Sequence, residues 1–246
     1  MDSAALPPAA APPGLPAGAA SDVVEETVVV GGRPLRLLRP RDGDAVLDEL
    51  LAEDDPDEDR LPFWTQLWPS GTALARAIAT RRLAGRRVLE LGCGLGLVGV
   101  TAARAGASVL VVDRSPEAVT FAAANAARNG VTLRTAVCAF DRPRPLLEGA
   151  PWDLVLAADV LYEEGNVPVL VWLLPRLVGA TGEVWLADPG RPMLARFLAG
   201  AEATGWRREQ VPADPDTVAI HRLRPPDGTE PVPRGSRWSG PAGTRP

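Results

Sequence analysis

The sequence predicts an α/β fold: a mostly parallel sheet of seven strands, helices on both faces, one antiparallel strand near the end, and an N-terminal β-hairpin with a helical extension. Three observations carry this. From about residue 72, short apolar runs of strand length alternate with amphipathic helical stretches. Apolar strands joined through helices form a parallel sheet covered on both sides. The last two runs, Arg207–Val211 and Thr217–Leu223, have only Pro212–Asp216 between them, too short for a crossover, so they pair antiparallel. With 46% hydrophobic residues in 246, the chain can bury a core of that size.

The elements follow in order. Residues 1–21 are nearly all Ala, Pro, Gly and Leu, and 224–246 are rich in Pro, Gly and Arg; both read as disordered tails around a single domain, 22–223. Val23–Val30 and Pro34–Leu38 flank Gly31-Gly32, a two-glycine hairpin turn. Ala45–Leu51 has helical spacing and runs into Glu53–Asp59, an acidic loop read as solvated because it lacks the turn glycine of a calcium loop. A helix over Thr72–Arg82 precedes strand Arg87–Leu91, helix Leu97–Ala105, strand Ser108–Val112, helix Pro116–Asn129 and strand Thr132–Val137. Strand Asp153–Ala157, helix Val167–Val178, strand Glu183–Ala187 and helix Pro192–Thr204 lead to the two closing strands.

Composition excludes several functions. A net charge of −5 argues against a protein that coats nucleic-acid phosphates, a local patch of Arg81, Arg82, Arg86 and Arg87 aside. Every one of the 26 basic residues is arginine. No apolar run approaches the ~20 residues that span a bilayer. Two cysteines make no disulfide framework, and Met1-Asp2-Ser3 lacks the basic start of a signal peptide, so a cytoplasmic protein is expected. One histidine, His221, and two separated cysteines assemble no zinc site, and His221 reads as structural.

Val88-Leu89-Glu90-Leu91-Gly92-Cys93-Gly94-Leu95-Gly96 ends one strand and opens a helix, so its backbone amides can approach an anionic ligand group. Asp113 closes the next strand, where a carboxylate accepts both ribose hydroxyls of an adenosine ligand. Ser115, not Asp113, is the better cap for the helix that follows. At this point NAD and S-adenosylmethionine both remain open. Glu90, two residues before the loop, favours a cationic cofactor over a pyrophosphate. Phe140-Asp141 follows the third strand, where an apolar face and a carboxylate suit an adenine. Asp159 and Tyr162, three residues apart, follow the fourth.

With Glu90-Leu91-Gly92-Cys93-Gly94, Asp113 and the acid after strand four, the chain resembles the seven-β-strand class I S-adenosylmethionine methyltransferases. Asp159-Val160-Leu161-Tyr162 is similar to the D/E-x-x-Y motif of their protein-lysine methyltransferase group. Pro62-Phe63-Trp64-Thr65-Gln66-Leu67-Trp68-Pro69-Ser70-Gly71, Trp152-Asp153-Leu154-Val155 and Ala187-Asp188-Pro189-Gly190-Arg191-Pro192 resemble the electron-transfer-flavoprotein β-subunit lysine methyltransferases. The likeness extends from Phe63 to His221. It implies a Rossmann-like fold, S-adenosylmethionine as cofactor and a protein acceptor with an accessible lysine. It also implies that Trp68 lines the cofactor site, Gly92, Cys93 and Gly94 surround the methionine part, Asp113 takes the ribose, Asp141 the adenine side, and Ala158 the floor below the sulfonium. Arg142 stands where relatives often carry Trp.

A lysine ammonium, with a solution pKa of ~10.4, must lose a proton before its nitrogen can attack a methyl group. Asp159 can grip and aim the ammonium but opposes its deprotonation, so positioning is its first role. Tyr162 offers an aromatic wall and a hydroxyl. A small-molecule N-methyltransferase, a ribosomal-protein methyltransferase and an inactive cofactor-binding partner subunit are the alternatives to weigh. Cys93, with no histidine partner, is a spacer in the loop, and Trp64 and Trp68 would share a face if helical.

Overall fold

The computed structural model describes residues 6–15, 22–52, 61–213 and 217–226; the acidic run 53–59 and most of both tails lie outside the described residues. Strands β1 (Pro8–Ala9), β2 (Val23–Val30) and β3 (Arg33–Pro40) form a small antiparallel sheet, followed by α1 (Gly43–Leu51), a 3₁₀ turn at Phe63–Thr65 and α2 (Pro69–Ala79). Then come β4 (Arg87–Leu91), α3 (Leu97–Arg104), β5 (Ser108–Asp113), α4 (Pro116–Arg128), β6 (Arg134–Val137), α5 (Arg144–Glu148) and β7 (Trp152–Ala158). The chain closes with α6 (Asn166–Leu177), β8 (Val178–Asp188), α7 (Pro192–Ala203), β9 (Arg207–Val211) and β10 (Ala219–Arg224).

The seven-stranded sheet runs β6-β5-β4-β7-β8-β10-β9. Its pairings are parallel except those of β10, which is antiparallel to both β8 and β9. The chain progresses outward in one direction from β4 and in the other from β7, so the order reverses between them. Crevices that bind ligands open at the carboxyl ends of strands at such a reversal. That places the glycine loop after β4, Asp113 at the tip of β5 and Asp159 after β7 along one edge.

Each central strand is buried on both faces. In β4, Leu89 and Leu91 join one core with Val155, Ala157, Leu170 and Phe197, while Val88 joins the other with Val100, Val111 and Ile78. Pleating therefore puts Glu90 on the Val88 face, towards α3. Helix α4 starts as its sequence requires: Ser115 Oγ accepts from the Ala118 amide at 3.1 Å, and Pro116 occupies the first turn.

Three expectations are corrected. Part of the N-terminal tail is ordered, because Pro8–Ala9 pairs with Val23 and Val24; an edge position tolerates the missing proline N–H. Helix α5, only five residues long, is too short to show a period in sequence. Trp64 and Trp68 share no helix: Trp64 lies in the 3₁₀ turn, and Trp68 caps α2, which Pro69 starts three residues earlier than expected.

The hairpin is fastened to α4 by two asparagines one helical turn apart. Asn125 accepts from the Leu38 amide at 2.6 Å and donates to the carbonyls of Leu38 (3.0 Å) and Leu95 (2.9 Å). Asn129 accepts from the Arg36 amide at 3.1 Å and donates to its carbonyl at 2.7 Å. Four residues of helix advance about 6 Å and two of strand about 6.6 Å, so the pair matches the open edge of β3 like a strand partner. Asn125 is fully buried and, through Leu95, also holds the glycine loop. Asn125→Ala strands three buried backbone groups and is expected to cost about 2–4 kcal/mol, read as a lower urea midpoint at unchanged slope.

His221 faces inward from β10, 3% exposed, with neither ring nitrogen partnered among the described residues. Burial, helped by the charge of Arg208, lowers its pKa below 6.5. A depressed histidine pKa means that the unfolded chain takes the proton first. Stability is therefore lost as pH falls through ~6.5 towards the folded value, with a slope of up to about 1.4 kcal/mol per pH unit. Buried carboxyls with raised pKa oppose this, so the test is a difference. The stability of the wild type relative to His221→Leu should decline between about pH 7 and 5; a pH-independent difference would refute it.

Candidate active site

The glycine loop turns on backbone that side chains resist. Gly92 sits at φ 65° and Gly96 at φ 80°, and a Cβ on Gly96 would lie 2.7 Å from that of Ala122. A Cβ on Gly92 would lie 3.1 Å from Val160 Cγ1 and 3.7 Å from Phe140 Cζ. The segments after β6 and β7 thus close on the loop, and Phe140 stands beside it. On its other side the loop meets the Trp64 backbone, with Trp64 packed on Phe121 at 5.2 Å.

Asp113 is tied to the loop it follows by 19 residues. Its Oδ2 accepts from the Gly94 amide at 2.9 Å and its Oδ1 from the Ser115 amide at 3.0 Å. Burial raises its pKa above the usual aspartate value, and these amides and Arg114 oppose the rise. A carboxylate has about four lone-pair sites, so both oxygens retain capacity for ribose hydroxyls. Asp141 is exposed one strand further out; burial, helped by the Asp141 charge, pushes the Cys138 thiol up to about 11.

Glu90 is buried beside Gly99 of α3, next to the loop. It is 3% exposed, and its Oε2 is buried without a hydrogen-bond partner among the described residues, 2.6 Å from where a Gly99 Cβ would stand. Burial pushes its carboxyl well above the usual carboxylate range; the Gly99 amide lowers it and the nearby Asp113 charge raises it. Cys93 is likewise buried, its thiol pKa raised well above the ordinary value by burial, and lies with the core beneath the loop. Trp68 is half-buried, its indole N–H donating to the Phe63 carbonyl at 2.8 Å.

Asp159 follows Ala158, which is half-buried at the end of β7. It is the one non-glycine residue with positive φ (59°) among the described residues. Strain of this kind persists where the surroundings hold it. Here its amide donates to the Ala187 carbonyl at 3.0 Å, and Asn166 donates to the Val160 carbonyl at 2.9 Å. Tyr162 is 38% exposed and meets Phe63, 44% exposed, edge-on at 5.4 Å. The Arg114 guanidinium lies 5.9 Å from the Tyr162 ring and pairs with Glu163 at 3.0 Å. The acid and the phenol therefore share one rim with the glycine loop.

Two groups at this rim carried no chemistry in the sequence reading. Phe63 belongs to the Pro62–Gly71 stretch and Arg191 to the Asp-Pro-Gly-Arg-Pro stretch, so both were visible as patterns without a role. Arg191 donates from Nε to Asp159 Oδ1 at 2.7 Å, with Nη2 at 2.5 Å from the same oxygen.

The residues present fit S-adenosylmethionine. Along the edge, in strand order, stand Asp141, Asp113, the glycine cradle and Asp159, which matches a ligand extended from adenine through ribose to a sulfonium. The donor set is acidic where hydroxyls and cations would lie and offers amides where a carboxylate would. The cradle is one that a side chain at Gly92 would enter.

Comparison with known proteins agrees. A family model described as lysine methyltransferase matches residues 58–193. The electron transfer flavoprotein β subunit lysine methyltransferase of Danio rerio is 36% identical over 134 residues, 53% of this chain and 51% of its own length. The ribosomal protein L11 methyltransferase of a Synechococcus strain is 36% identical over 151 residues, 59% of this chain and 48% of its own. The chain spans about half the length of the curated relatives it matches. Among solved structures, a T. thermophilus 16S rRNA methyltransferase holding AdoMet and guanosine superposes with a TM-score of 0.59 at 18% identity, over 82% of this chain and 50% of that one. The N-methyltransferase NodS of Bradyrhizobium japonicum, holding S-adenosylhomocysteine, gives 0.51 at 18% identity, over 75% and 99%. These two likenesses show the class I methyltransferase fold.

Proposed function

Because the chain belongs to the lysine methyltransferase family, we propose that it methylates the side-chain nitrogen of a lysine in a protein acceptor, with S-adenosylmethionine as donor. One observation carries the reading: the segment Asp159–Tyr162 lies against the glycine loop, Val160 touching the space beside Gly92. An acid and a phenol therefore border the place where a cofactor's methyl would stand.

When bound, the cofactor supplies an electrophilic methyl on a sulfonium. The protein has to deliver a nitrogen lone pair to it, and orientation is the largest lever. Asp159 accepts a hydrogen bond from the incoming ammonium and aims it. Tyr162 and Phe63 line the approach with aromatic faces that suit a cation and its aliphatic stem. The nitrogen must give up its proton to solvent before it attacks, because only a free lone pair can displace the sulfonium. Asp113 would hold the ribose, and the loop amides would hold the methionine carboxylate.

The stretches resembling electron-transfer-flavoprotein β-subunit methyltransferases make that subunit the first acceptor to try. Free cysteines at 93 and 138 suit a reducing compartment, and we place the protein in the cytoplasm. The test is transfer of labelled methyl from S-adenosylmethionine into a hypomethylated protein extract, with acid-precipitable counts and methyl-lysine as readouts. This chain contains no lysine, so every methyl-lysine formed belongs to the acceptor. Label found only in low-mass products would favour a small-molecule N-methyltransferase, and label in ribosomal proteins the ribosomal alternative. Cofactor binding without any transfer would leave the inactive-partner reading.

A further inference from the structure

The Asp188-Pro189-Gly190-Arg191-Pro192 stretch is a built bracket. Asp188, 1% exposed at the end of β8, accepts through Oδ1 from the Gly190 amide (2.8 Å) and the Arg191 amide (2.7 Å). Gly190 supplies the positive φ, 90°, that this turn needs. Pro192 then starts α7, so the chain leaves Arg191 in one direction only. The turn is thereby fixed, and the guanidinium it carries reaches across to the neighbouring strand tip.

There, two of its nitrogens converge on Asp159 Oδ1, at 2.7 and 2.5 Å, leaving Oδ2 outside this pair. Asp159 and Asp188 stand at adjacent strand ends close enough for their charges to interact, and burial and that repulsion raise the pKa of Asp188. Arg191 acts on both carboxylates: its guanidinium pairs with Asp159, and its charge opposes the rise at Asp188. Asp159 itself is 9% exposed, a burial that is costly for an anion without a counter-charge.

We propose that Arg191 is the positioning residue for the acceptor lysine: by holding Asp159 through one oxygen, it presents the other oxygen to the ammonium. This rests on the methyltransferase reading above. Arginine suits the task because its planar fork fixes the orientation of a carboxylate, whereas a lysine ammonium supplies only a point charge. The two contributions separate. Charge governs how well the acceptor is held, and the fixed plane governs how well its nitrogen is aimed.

The test compares wild type, Asp159→Asn, Arg191→Gln and Arg191→Lys on hypomethylated protein extract, with initial rates against extract concentration and calorimetric affinity for S-adenosylhomocysteine. Arg191→Gln should lose about 30-fold or more in kcat/KM. Arg191→Lys should recover KM to within about threefold while kcat stays about tenfold or more below wild type. Both should bind S-adenosylhomocysteine within about threefold of wild type, a sign that the cofactor crevice is intact. If Asp159→Asn is inactive while both Arg191 variants match wild type, the bracket is overturned and the methyltransferase reading stands. If Arg191→Lys fails equally in KM and kcat, the separation of charge from aim is wrong. Wild-type-like turnover of Asp159→Asn, or no labelling by wild type, defeats the acceptor site and the bracket with it.

Discussion

Replacing Asp159 by asparagine is expected to lower turnover by about 10²–10⁴-fold while leaving the affinity for S-adenosylhomocysteine within a few-fold. Asparagine is the informative change. It matches aspartate in shape and tolerates the left-handed backbone at φ 59°, so the segment between β7 and α6 keeps its course. What it removes is the charge that grips an ammonium and answers Arg191. Alanine would add strain of about 1–2 kcal/mol in the left-handed region and confuse folding with function. Single-turnover methyl transfer with calorimetry on the same preparation separates the two quantities. A variant that turns over normally would mean that the rim beside the glycine loop does not receive the acceptor.

Replacing Asp113 should do the opposite, weakening the cofactor rather than the acceptor. Charge-assisted hydrogen bonds contribute about 1.5–3 kcal/mol each, so losing a carboxylate that takes two ribose hydroxyls should raise the dissociation constant for S-adenosylhomocysteine about 100-fold or more. Asp113 also anchors the Gly94 and Ser115 amides, so Asp113→Ala should lose stability as well as affinity. Asp113→Asn keeps one acceptor for those amides and should show mainly the loss of affinity. The pH dependence has a definite sign. Burial raises the pKa of this carboxyl, so protonation sets in at less acidic pH than for an ordinary aspartate. Wild-type affinity relative to Asp113→Asn should therefore fall as pH drops towards that raised value. Equal affinity for wild type and Asp113→Asn would remove the ribose from this strand tip.

Much of the site was legible because its signals are local. A strand, a glycine turn and a helix start are written within about ten residues, and strand tips at a chain reversal share an edge as a matter of topology. Glu90 was harder. Its period-2 position beside Leu89 and Leu91 shows that it faces the other way from them, but β4 is buried on both sides. Nothing in the strand says which face α3 covers, so the burial of this acid next to the loop is set by the tertiary structure. Phe63 and Arg191 stood in stretches noted for resemblance, with no local chemistry to give them a part.

By itself the sequence determined the alternation of strands and helices, the antiparallel closing strand, the glycine loop with Asp113, and the acid and phenol after the fourth of the seven strands. The tertiary structure alone decided that Asn125 and Asn129 complete the edge of β3, that Glu90 is buried next to the loop, and that Arg191 holds Asp159. The reason is range. Periodicity and capping act over a few residues, whereas the Arg191–Asp159 contact joins positions 32 apart and the Asn125–Leu38 contact positions 87 apart. Such partners meet only when the sheet sets their strands and helices side by side.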